Sequence, residues 1–247
     1  MSFYPDLAAI HCHLLPYVDD GAYDEDECLE LLKREADQGV RTICLTPHLR
    51  ADMFESTDEE VRERFALAER LVREAQLPLT LYHSREYHFD RILRARLRTR
   101  ELRPLGLGNT LLVEFGGRDG AEEILDGIRM VGRAGYVPLV AHGERYLPLQ
   151  QDWAFAYELR EAGALLQINA GSVLGREGLR QKLLCRKLLQ KDLVTVIASD
   201  AHDSELRVPE LALCAEHLES KFGRDLARRL LCGNPAAILN GQNMRGE

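Results

Sequence analysis

Short apolar runs alternate along the chain with longer amphipathic segments, and this alternation constrains the fold more than any other feature. The runs LVTVIA at residues 193–198 and TLLVEF at 110–115 are almost wholly apolar, which is typical of strands buried on both faces of a parallel sheet. About seven such runs occur, and nearly all of them precede a helical segment. The pattern predicts an α/β fold, but periodicity alone does not choose between an open sheet and a closed barrel.

Residues at the segment boundaries support this division. Asp24–Gln38 begins with acidic residues and is followed by Gly39, a residue type that commonly ends a helix. Within Ser56–Glu74, Thr57 and Glu60 have the spacing of a capping box. The predicted strands are Leu7–Ile10, Arg41–Thr46, Leu79–His83, Thr110–Phe115, Val137–Ala141, Ala164–Asn169 and Leu193–Ala198. The other predicted helices are Phe89–Arg103, Ala121–Ala134, Asp152–Ala162 and Gly178–Lys191, with a helical region from Val208 onward that is interrupted at Asn234 and Pro235.

Length and charge narrow the class of protein. The 247 residues fit a single domain, 1–247, because no linker, repeat or low-complexity segment divides them. Lys and Arg number 32 against 40 Asp and Glu, and the formal charge of −8 disfavours nucleic-acid binding. No apolar run approaches the roughly 20 residues of a membrane span, and the first residues lack a basic secretory signal. The six scattered cysteines are expected to be free thiols, which favours a cytoplasmic location.

Histidine and acidic residues recur at the carboxyl ends of the predicted strands. In chain order they are His11, His13, Asp19, Asp20, His48, Glu86, His88, Glu114, His142, Asp200 and His202. A single histidine at a strand end is more often a structural residue, but the carboxyl ends of parallel strands meet at one edge, where active sites form. Several carboxylates at that edge would repel one another. Divalent cations remove this repulsion and bind such mixtures of imidazole and carboxylate.

The local spacing also favours metal binding. His11 and His13, like Asp200 and His202, are two residues apart, so that in an extended segment both side chains point to the same side. The many acidic residues favour two or three ions over a single zinc, and adjacent ions can activate a bridging water. Arg50, Arg145 and Arg207 follow candidate ligands at short range. Any one of these arginines alone fits a surface ion pair, but together they predict a phosphate-binding site.

Two other enzyme mechanisms fit the sequence less well. Residues 44–50 have the Cys-x5-Arg spacing of thiol-based tyrosine phosphatases, but this segment contains no glycine and Pro47 lacks an N–H donor. Cys44 also falls within a strand pattern, where we expect a buried, inert thiol. Metal-dependent amidohydrolases also begin with His-x-His, and many use a central lysine as a bridging ligand. Here no lysine lies between Lys33 and Lys182, which favours a phosphoesterase.

The motifs AAIHCHLLPYVDDGA, LTPHLR, REY, LLVEF, VAHGERY, QINAGS and VIASDAH follow one another in an order that resembles the PHP (polymerase and histidinol phosphatase) superfamily. More narrowly, they resemble the bacterial manganese-dependent protein-tyrosine phosphatases of the CpsB/YwqE type. The resemblance covers almost the whole chain. It implies a distorted seven-stranded (β/α) barrel of the TIM-like, PHP type, with three divalent metal ions, manganese or alternatively iron or zinc.

The resemblance also implies roles for individual residues. It places one ion on His11, His13, Glu86 and Asp200, a second on Glu86, Glu114 and His142, and a third on Asp20, His48 and His202. Asp19 is the alternative to its neighbour Asp20. Arg145 and Arg207 would bind the phosphoryl group, with Arg50 as a further candidate. One departure from the family is the pair Ser84 and Arg85 before the bridging Glu86, where the family usually has two small residues.

The activity that these features predict is hydrolysis of protein phosphotyrosine by a metal-dependent phosphomonoesterase. The resemblance implies a target in the tyrosine-rich tail of a bacterial tyrosine kinase that controls capsule or exopolysaccharide synthesis. Alternatives are a small-molecule phosphatase acting on a substrate such as histidinol phosphate, and a non-catalytic metal-binding regulatory module. Candidates to flank an aromatic substrate ring are Tyr17, Phe54, Tyr87 and Tyr146. The arginine-rich segment from Arg91 to Arg103 fits a solvated helix face or, alternatively, a docking surface.

Overall fold

The predicted alternation of strands and helices is present in the computed structural model, which describes Tyr4, residues 6–242 and Met244. The strands are β1 (Leu7–Ala9), β2 (Val40–Leu45), β3 (His48–Leu49), β4 (Thr80–His83), β5 (Glu86–His88), β6 (Thr110–Glu114), β7 (Val137–Val140), β8 (Leu165–Asn169) and β9 (Val196–Ala198). The helices are α1 (Glu25–Asp37), α2 (Asp58–Glu74), α3 (Arg91–Thr99), α4 (Ala121–Arg133), α5 (Leu147–Gln151), α6 (Phe155–Glu161), α7 (Ala170–Leu174), α8 (Leu179–Gln190), α9 (Leu211–Phe222), α10 (Arg224–Arg228) and α11 (Asn234–Leu239). A 3₁₀ turn covers Gly143–Arg145, and a π-helical turn covers Arg229–Gly233. No helix of the described residues is long and apolar enough to cross a bilayer.

All the strands pair in parallel, in two sheets with the orders β1-β2-β4 and β3-β5-β6-β7-β8-β9. Backbone hydrogen bonds also join the two ends of this arrangement. The His13 amide donates to the Ala201 carbonyl at 2.8 Å, and the Asp200 amide donates to the His11 carbonyl at 3.0 Å. The segments that follow β1 and β9 therefore lie side by side, and the parallel sheets curl toward each other.

The predicted count of seven strands is not confirmed, because the described residues form nine. Two predicted strands continue, after an interruption, into a second short strand: β2 into β3, and β4 into β5. Thr46 and Pro47 form the first interruption, and Pro47 has no N–H with which to continue a strand ladder. The two additional strands, β3 and β5, begin at His48 and Glu86, which we had placed after strands rather than within them.

The packing of strand β6 explains why its sequence is apolar at every position but the first and the last. Leu111 and Val113 pack into the large core that lies against the helices. Leu112 points the other way, into a smaller apolar cluster with Leu139 of the neighbouring β7 and Ile10, which follows β1. Both faces of the strand are buried, as its sequence predicts.

The capping signals locate the helix ends well. The Glu60 amide donates to Thr57 Oγ1, and the Thr57 amide donates to the Glu60 carboxylate, so that the predicted capping box is formed. Gly39, with φ of 93°, follows α1. Helix α3 is shorter than predicted, because Asp90 accepts hydrogen bonds from the amides that begin it and Arg100 ends it with φ of 60°. The short helices α5 and α7 were not predicted.

Candidate metal centre

The carboxyl ends of the strands bring together all nine predicted metal ligands. Their potential ligand atoms form four overlapping groups, within each of which all atoms lie within 4.8 Å of one another. The groups are His13, Asp20, His48 and His202; His11, His142 and Asp200; His11, His13 and Glu86; and His48, Glu86 and Glu114. Strand register contributes directly, since His48 is paired with Glu86 between β3 and β5, and His88 with Glu114 between β5 and β6.

Backbone conformation aims two of these side chains. His142 and Asp200 adopt φ of 33° and 52°, in the left-handed region that residues other than glycine rarely occupy. Each residue lies just beyond the end of a strand, β7 or β9, where the chain turns toward the next helix. Such local strain is typical of functional sites, where the surrounding structure holds a side chain in place.

Hydrogen bonds at Nδ1 orient three of the histidines. The His13 Nδ1 lies 2.7 Å from Asp19 Oδ2, the His11 Nδ1 lies 3.0 Å from Gln167 Oε1, and the His202 Nδ1 lies 3.0 Å from the Asp200 carbonyl. Each of these oxygen acceptors favours the histidine tautomer in which Nδ1 carries the proton. The Nε2 atoms of all three rings are then left with a lone pair for a metal ion.

The adjacent acids Asp19 and Asp20 have different surroundings. Asp19 is enclosed by the His13 ring and by the amides of Gly21 and His48, which donate to it at 3.0 and 2.9 Å. Asp20 instead places Oδ1 at 3.5 Å from the Nε2 atoms of both His48 and His202. The neighbouring His202 lowers the pKa of Asp20, which keeps this carboxylate anionic. The geometry therefore favours Asp20 as the ligand and gives Asp19 the task of orienting His13.

Glu86 lies at the centre of the cluster. Its Oε1 is 2.8 Å from His142 Nε2, and its Oε2 is 2.8 Å from His48 Nδ1 and 3.3 Å from the Nε2 atoms of His11 and His13. Glu114 contributes from the side: its Oε2 lies 2.9 Å from His88 Nδ1, and its Oε1 lies 3.8 Å from His142 Nε2. Both carboxylate oxygens of Glu86 thus lie among the candidate ligand histidines, where each would be available to an ion.

Several buried polar atoms of the cluster have no hydrogen-bond partner among the described residues, although they face one another. They are Glu86 Oε2, Asp200 Oδ1, His48 Nδ1, His142 Nδ1 and His202 Nε2. Buried polar groups are normally satisfied, because an unpaired one costs about 1–3 kcal/mol. The donor set of imidazole nitrogens and carboxylate oxygens therefore fits divalent cations, which would satisfy the atoms that face the centre of the cluster.

The charges of the cluster also fit the binding of divalent cations. Burial raises the pKa of Glu86 and Asp200, but the neighbouring histidines, and for Asp200 also Arg207 and Arg145, lower it well below its usual range. Burial lowers the pKa of His13, but Asp19 and Glu86 raise it to about 10. The proton that His13 keeps partly balances these carboxylates, and a divalent ion would displace it on binding.

Two of the three predicted phosphate-binding arginines meet at the cluster. Arg207 Nη2 donates to Asp200 Oδ2 at 2.6 Å, and Arg145 Nη1 donates to the same oxygen at 3.1 Å. The backbone of Arg50 pairs with Phe54, and within residues 6–242 no hydrogen bond or ion pair joins its side chain to the cluster. Its role stays a prediction.

Other side chains that support the cluster were missed in the sequence. Glu177 accepts two hydrogen bonds from Arg145. Gln167 and Asn169 lie two residues apart on β8 and both face the cluster, as His11 and His13 do. The same period-two rule would have found this second pair. Glu177 gives no comparable signal, because it lies in a loop far along the chain from its partner.

Arg85 does not enter the metal cluster. It is 2% exposed, and its guanidinium donates to Ser56 Oγ at 2.7 Å, to the Ser56 carbonyl at 2.6 Å and to Asp58 Oδ1 at 3.2 Å. These contacts lie at the start of α2. Arg85, which stands where the family usually has a small residue, therefore packs beside the candidate metal centre and not within it.

The four candidate aromatic side chains divide into two pairs. Tyr87 and Tyr146 are each 1% exposed, and their hydroxyls accept hydrogen bonds from the amides of Arg103 and Phe115, so they cannot flank a substrate. Tyr17 is 57% exposed, and the Phe54 ring stacks on His48 with 5.2 Å between centroids. Only the second pair lies where a substrate ring can reach it.

The buried Cys44 agrees with our rejection of a thiol mechanism. Its side chain lies in β2, within the smaller apolar cluster, and is inaccessible to solvent. Burial raises the pKa of the Cys44 thiol to about 12, so that little of the nucleophilic thiolate is present at neutral pH.

The fold and the cluster together define a class of parallel α/β proteins with a candidate polynuclear metal centre at the carboxyl ends of the strands. Within this class, residues 7–240 match the family described as "Capsular polysaccharide synthesis, CpsB/CapC", and the chain belongs to that family. The resemblance seen in the motifs is thereby confirmed.

Individual relatives cover nearly the whole chain. The tyrosine-protein phosphatase CpsB of Streptococcus pneumoniae is 31% identical over 238 residues, which are 94% of this chain and 98% of that protein. The tyrosine-protein phosphatase YwqE of Bacillus subtilis is 31% identical over 239 residues, 95% of this chain and 92% of that protein. A crystal structure of these proteins, described as unique metal-dependent tyrosine phosphatases, superposes with a TM-score of 0.88 at 29% identity and covers 96% of each chain.

Proposed function

We propose that this protein is a metal-dependent phosphomonoesterase that hydrolyses phosphotyrosine in a partner protein. The observation that carries the proposal is the position of Asp200. Its Oδ1 lies 3.2 Å from His11 Nε2 within the metal cluster, while its Oδ2 accepts hydrogen bonds from Arg145 and Arg207. The Asp200 carboxylate thus holds two guanidinium groups at the edge of the candidate metal centre, where a phosphoryl-transfer site requires positive charge.

The ligand sets that the resemblance implied are the ones we propose. His11, His13, Glu86 and Asp200 would hold one ion; Glu86, Glu114 and His142 a second; and Asp20, His48 and His202 a third. The four groups of close ligand atoms support this division, because each proposed set contains at least two residues that share a group. We propose manganese for all three positions. When bound, such ions lower the pKa of water to generate a nucleophile and neutralise phosphate oxygens.

The side chains of the protein supply the rest of the site. Arg145 and Arg207 would bind the non-bridging oxygens of the phosphoryl group and stabilise the negative charge that they carry in the transition state. Tyr17 and Phe54, at the mouth of the site, would flank the aromatic ring of the substrate. Both stand close to ligands: Phe54 stacks on the His48 ring, and Tyr17 precedes Asp20 in the loop after β1.

The partner that we propose is the tyrosine-rich tail of a bacterial tyrosine kinase that controls capsule or exopolysaccharide synthesis. Its support is the description of the family, which concerns capsular polysaccharide synthesis, and the names of the relatives, which are tyrosine-protein phosphatases.

The test compares three substrates with protein reconstituted with Mn²⁺: a phosphotyrosine peptide, the same peptide with phosphoserine, and histidinol phosphate. We expect hydrolysis of the phosphotyrosine peptide to be fastest and to stop when a chelator is added. A preference for histidinol phosphate would instead identify a small-molecule phosphatase. If no phosphate ester is hydrolysed while a chelator still changes thermal stability, the protein is a metal-binding module without phosphatase activity.

A further inference from the structure

Glu177 fixes the orientation of Arg145 through a two-point contact. Arg145 Nε donates to Glu177 Oε2 at 2.8 Å, and Arg145 Nη2 donates to Oε1 at 3.0 Å. Two parallel hydrogen bonds between a guanidinium and a carboxylate fix the plane of both groups, which one bond does not. The third contact, from Arg145 Nη1 to Asp200 Oδ2 at 3.1 Å, turns that plane toward the metal cluster.

The contacts leave a defined part of Arg145 available. A guanidinium has five N–H donors, and these three hydrogen bonds use one each on Nε, Nη1 and Nη2. One N–H on Nη1 and one on Nη2 remain. These two N–H groups are the donors that Arg145 has left for the oxygens of a phosphate.

Glu177 is itself held from the sheet. Asn169 Nδ2 donates to Asp200 Oδ2 at 2.8 Å and lies 3.3 Å from Glu177 Oε1, and Gln167 Nε2 donates to Asn169 Oδ1 at 2.7 Å. A continuous set of hydrogen bonds thus runs from β8 to Arg145. The side chains of Arg145 and Glu177 are 33% and 26% exposed, so the free end of the guanidinium is open to a substrate.

We propose that Glu177 is a positioning residue that holds Arg145 with two N–H donors directed at the phosphoryl group, without touching the substrate itself. This inference rests on the proposed phosphatase function. It predicts that Glu177 acts only through Arg145, which separates it from a residue that merely stabilises the loop.

The experiment is a double-mutant cycle with Glu177→Gln and Arg145→Gln. Glutamine matches glutamate in shape but has one acceptor oxygen, so it cannot accept both N–H groups. In the metal-loaded protein we expect Glu177→Gln to lower kcat/KM for p-nitrophenyl phosphate roughly 10-fold and to raise the inhibition constant of inorganic phosphate by a similar factor. In the Arg145→Gln background the same substitution should change neither quantity.

The matched control is Arg176→Gln. Arg176 lies next to Glu177 on the same loop and forms an ion pair with Glu210, which precedes α9. The substitution breaks this ion pair without removing a contact of Arg145. We expect wild-type phosphate inhibition in this variant. If Glu177→Gln does not fold, as judged by circular dichroism, Glu177→Asp replaces it, because the shorter carboxylate keeps the charge but cannot reach both donors.

The outcomes separate the two proposals. The positioning role would be overturned if Glu177→Gln lowered kcat/KM by the same factor in the wild-type and the Arg145→Gln backgrounds, or if it left the phosphate inhibition constant unchanged. Neither result would contradict the proposed phosphatase function. An inactive wild-type protein that does not bind inorganic phosphate would overturn the proposed function and this inference with it.

Discussion

At the scale of single residues, the site depends on side chains that contact two groups at once. Asp200 faces His11 with one oxygen and two arginines with the other, and Asp19 contacts both the His13 ring and the His48 amide. A change in either carboxylate therefore disturbs more than one functional group. Cys44, by contrast, lies in the smaller apolar cluster and is inaccessible to solvent.

We expect Asp200→Asn to lower kcat for p-nitrophenyl phosphate by at least about 100-fold, because it removes a ligand charge and the acceptor that Arg145 and Arg207 share. Cys44→Ser should keep near-normal activity. Both variants should have wild-type circular dichroism spectra. Loss of activity in Cys44→Ser, with its metal content unchanged, would revive the thiol mechanism.

Glu35, on α1, gives a pH-dependent prediction. It is fully buried with only a weak hydrogen bond from Ser199, and burial raises its pKa from 4.5 to about 8. Between these values the folded protein keeps a proton that the unfolded chain releases, so the stability falls as the pH rises toward 8. Glu35→Gln removes this dependence. In denaturant titrations, the free energy of unfolding of the variant relative to the wild type should rise by on the order of 3 kcal/mol between pH 5 and pH 8. A pH-independent difference would contradict this assignment.

At the scale of elements, the interruptions in the strands are supported by the helices beside them. Arg85, between β4 and β5, reaches the first residues of α2 through Ser56 and Asp58. The same Asp58 accepts two hydrogen bonds from Arg96 on α3. Part of the arginine-rich segment thus ties α3 to α2 and is not a free docking surface.

We expect Arg85→Met to lower the free energy of unfolding by about 1–3 kcal/mol, because it removes the hydrogen bonds of a buried guanidinium and leaves the half-buried Ser56 carbonyl without its donor. Arg96→Met removes a more exposed pair with the same aspartate and should cost less than about 1 kcal/mol. Chemical denaturation of both variants measures the difference. Equal costs would mean that the buried contacts of Arg85 contribute no more than the surface pair does.

At the scale of the whole molecule, the candidate metal centre joins segments from both ends of the chain. Its ligands begin at His11 and end at His202, and the backbone after β1 pairs with the backbone after β9. Ions bound there would connect nearly all the strands, so metal binding and global stability should be coupled.

We therefore expect Mn²⁺ to raise the melting temperature and a chelator to reverse the effect. At a free Mn²⁺ concentration 100 times the dissociation constant, one site adds about 2.7 kcal/mol to the free energy of unfolding. Glu86→Gln should abolish most of the rise, whereas Glu210→Gln, which changes a buried acid outside the cluster, should keep it. The rise should also shrink as the pH falls, because protons compete for the histidines. An equal rise in Glu86→Gln would place the stabilising ions elsewhere.

Much of the fold was predictable, because its signals are local. The apolar runs marked the positions of the principal strands, and the capping box at Thr57 and Glu60 located the start of α2. The division of two strands was not predicted, since the pattern of apolar residues gave no sign of where the ladder passes from one partner strand to another. The places at strand ends indicated eleven candidate residues, the family resemblance selected nine of them as ligands, and the nine lie close together in space.

The sequence by itself determined which residue types face the site, because alternate residues in an extended segment point the same way whatever lies around them. This rule places His11 with His13, whereas Asp200, with φ of 52°, reaches the site through a backbone conformation that is not extended. Only the tertiary structure gave Asp19 and Asp20 their different surroundings, turned Arg85 away from the cluster and joined Arg145 to Glu177, 32 residues further along the chain. The physical reason is that a hydrogen bond between distant residues depends on the path of the whole chain, which no local spacing records.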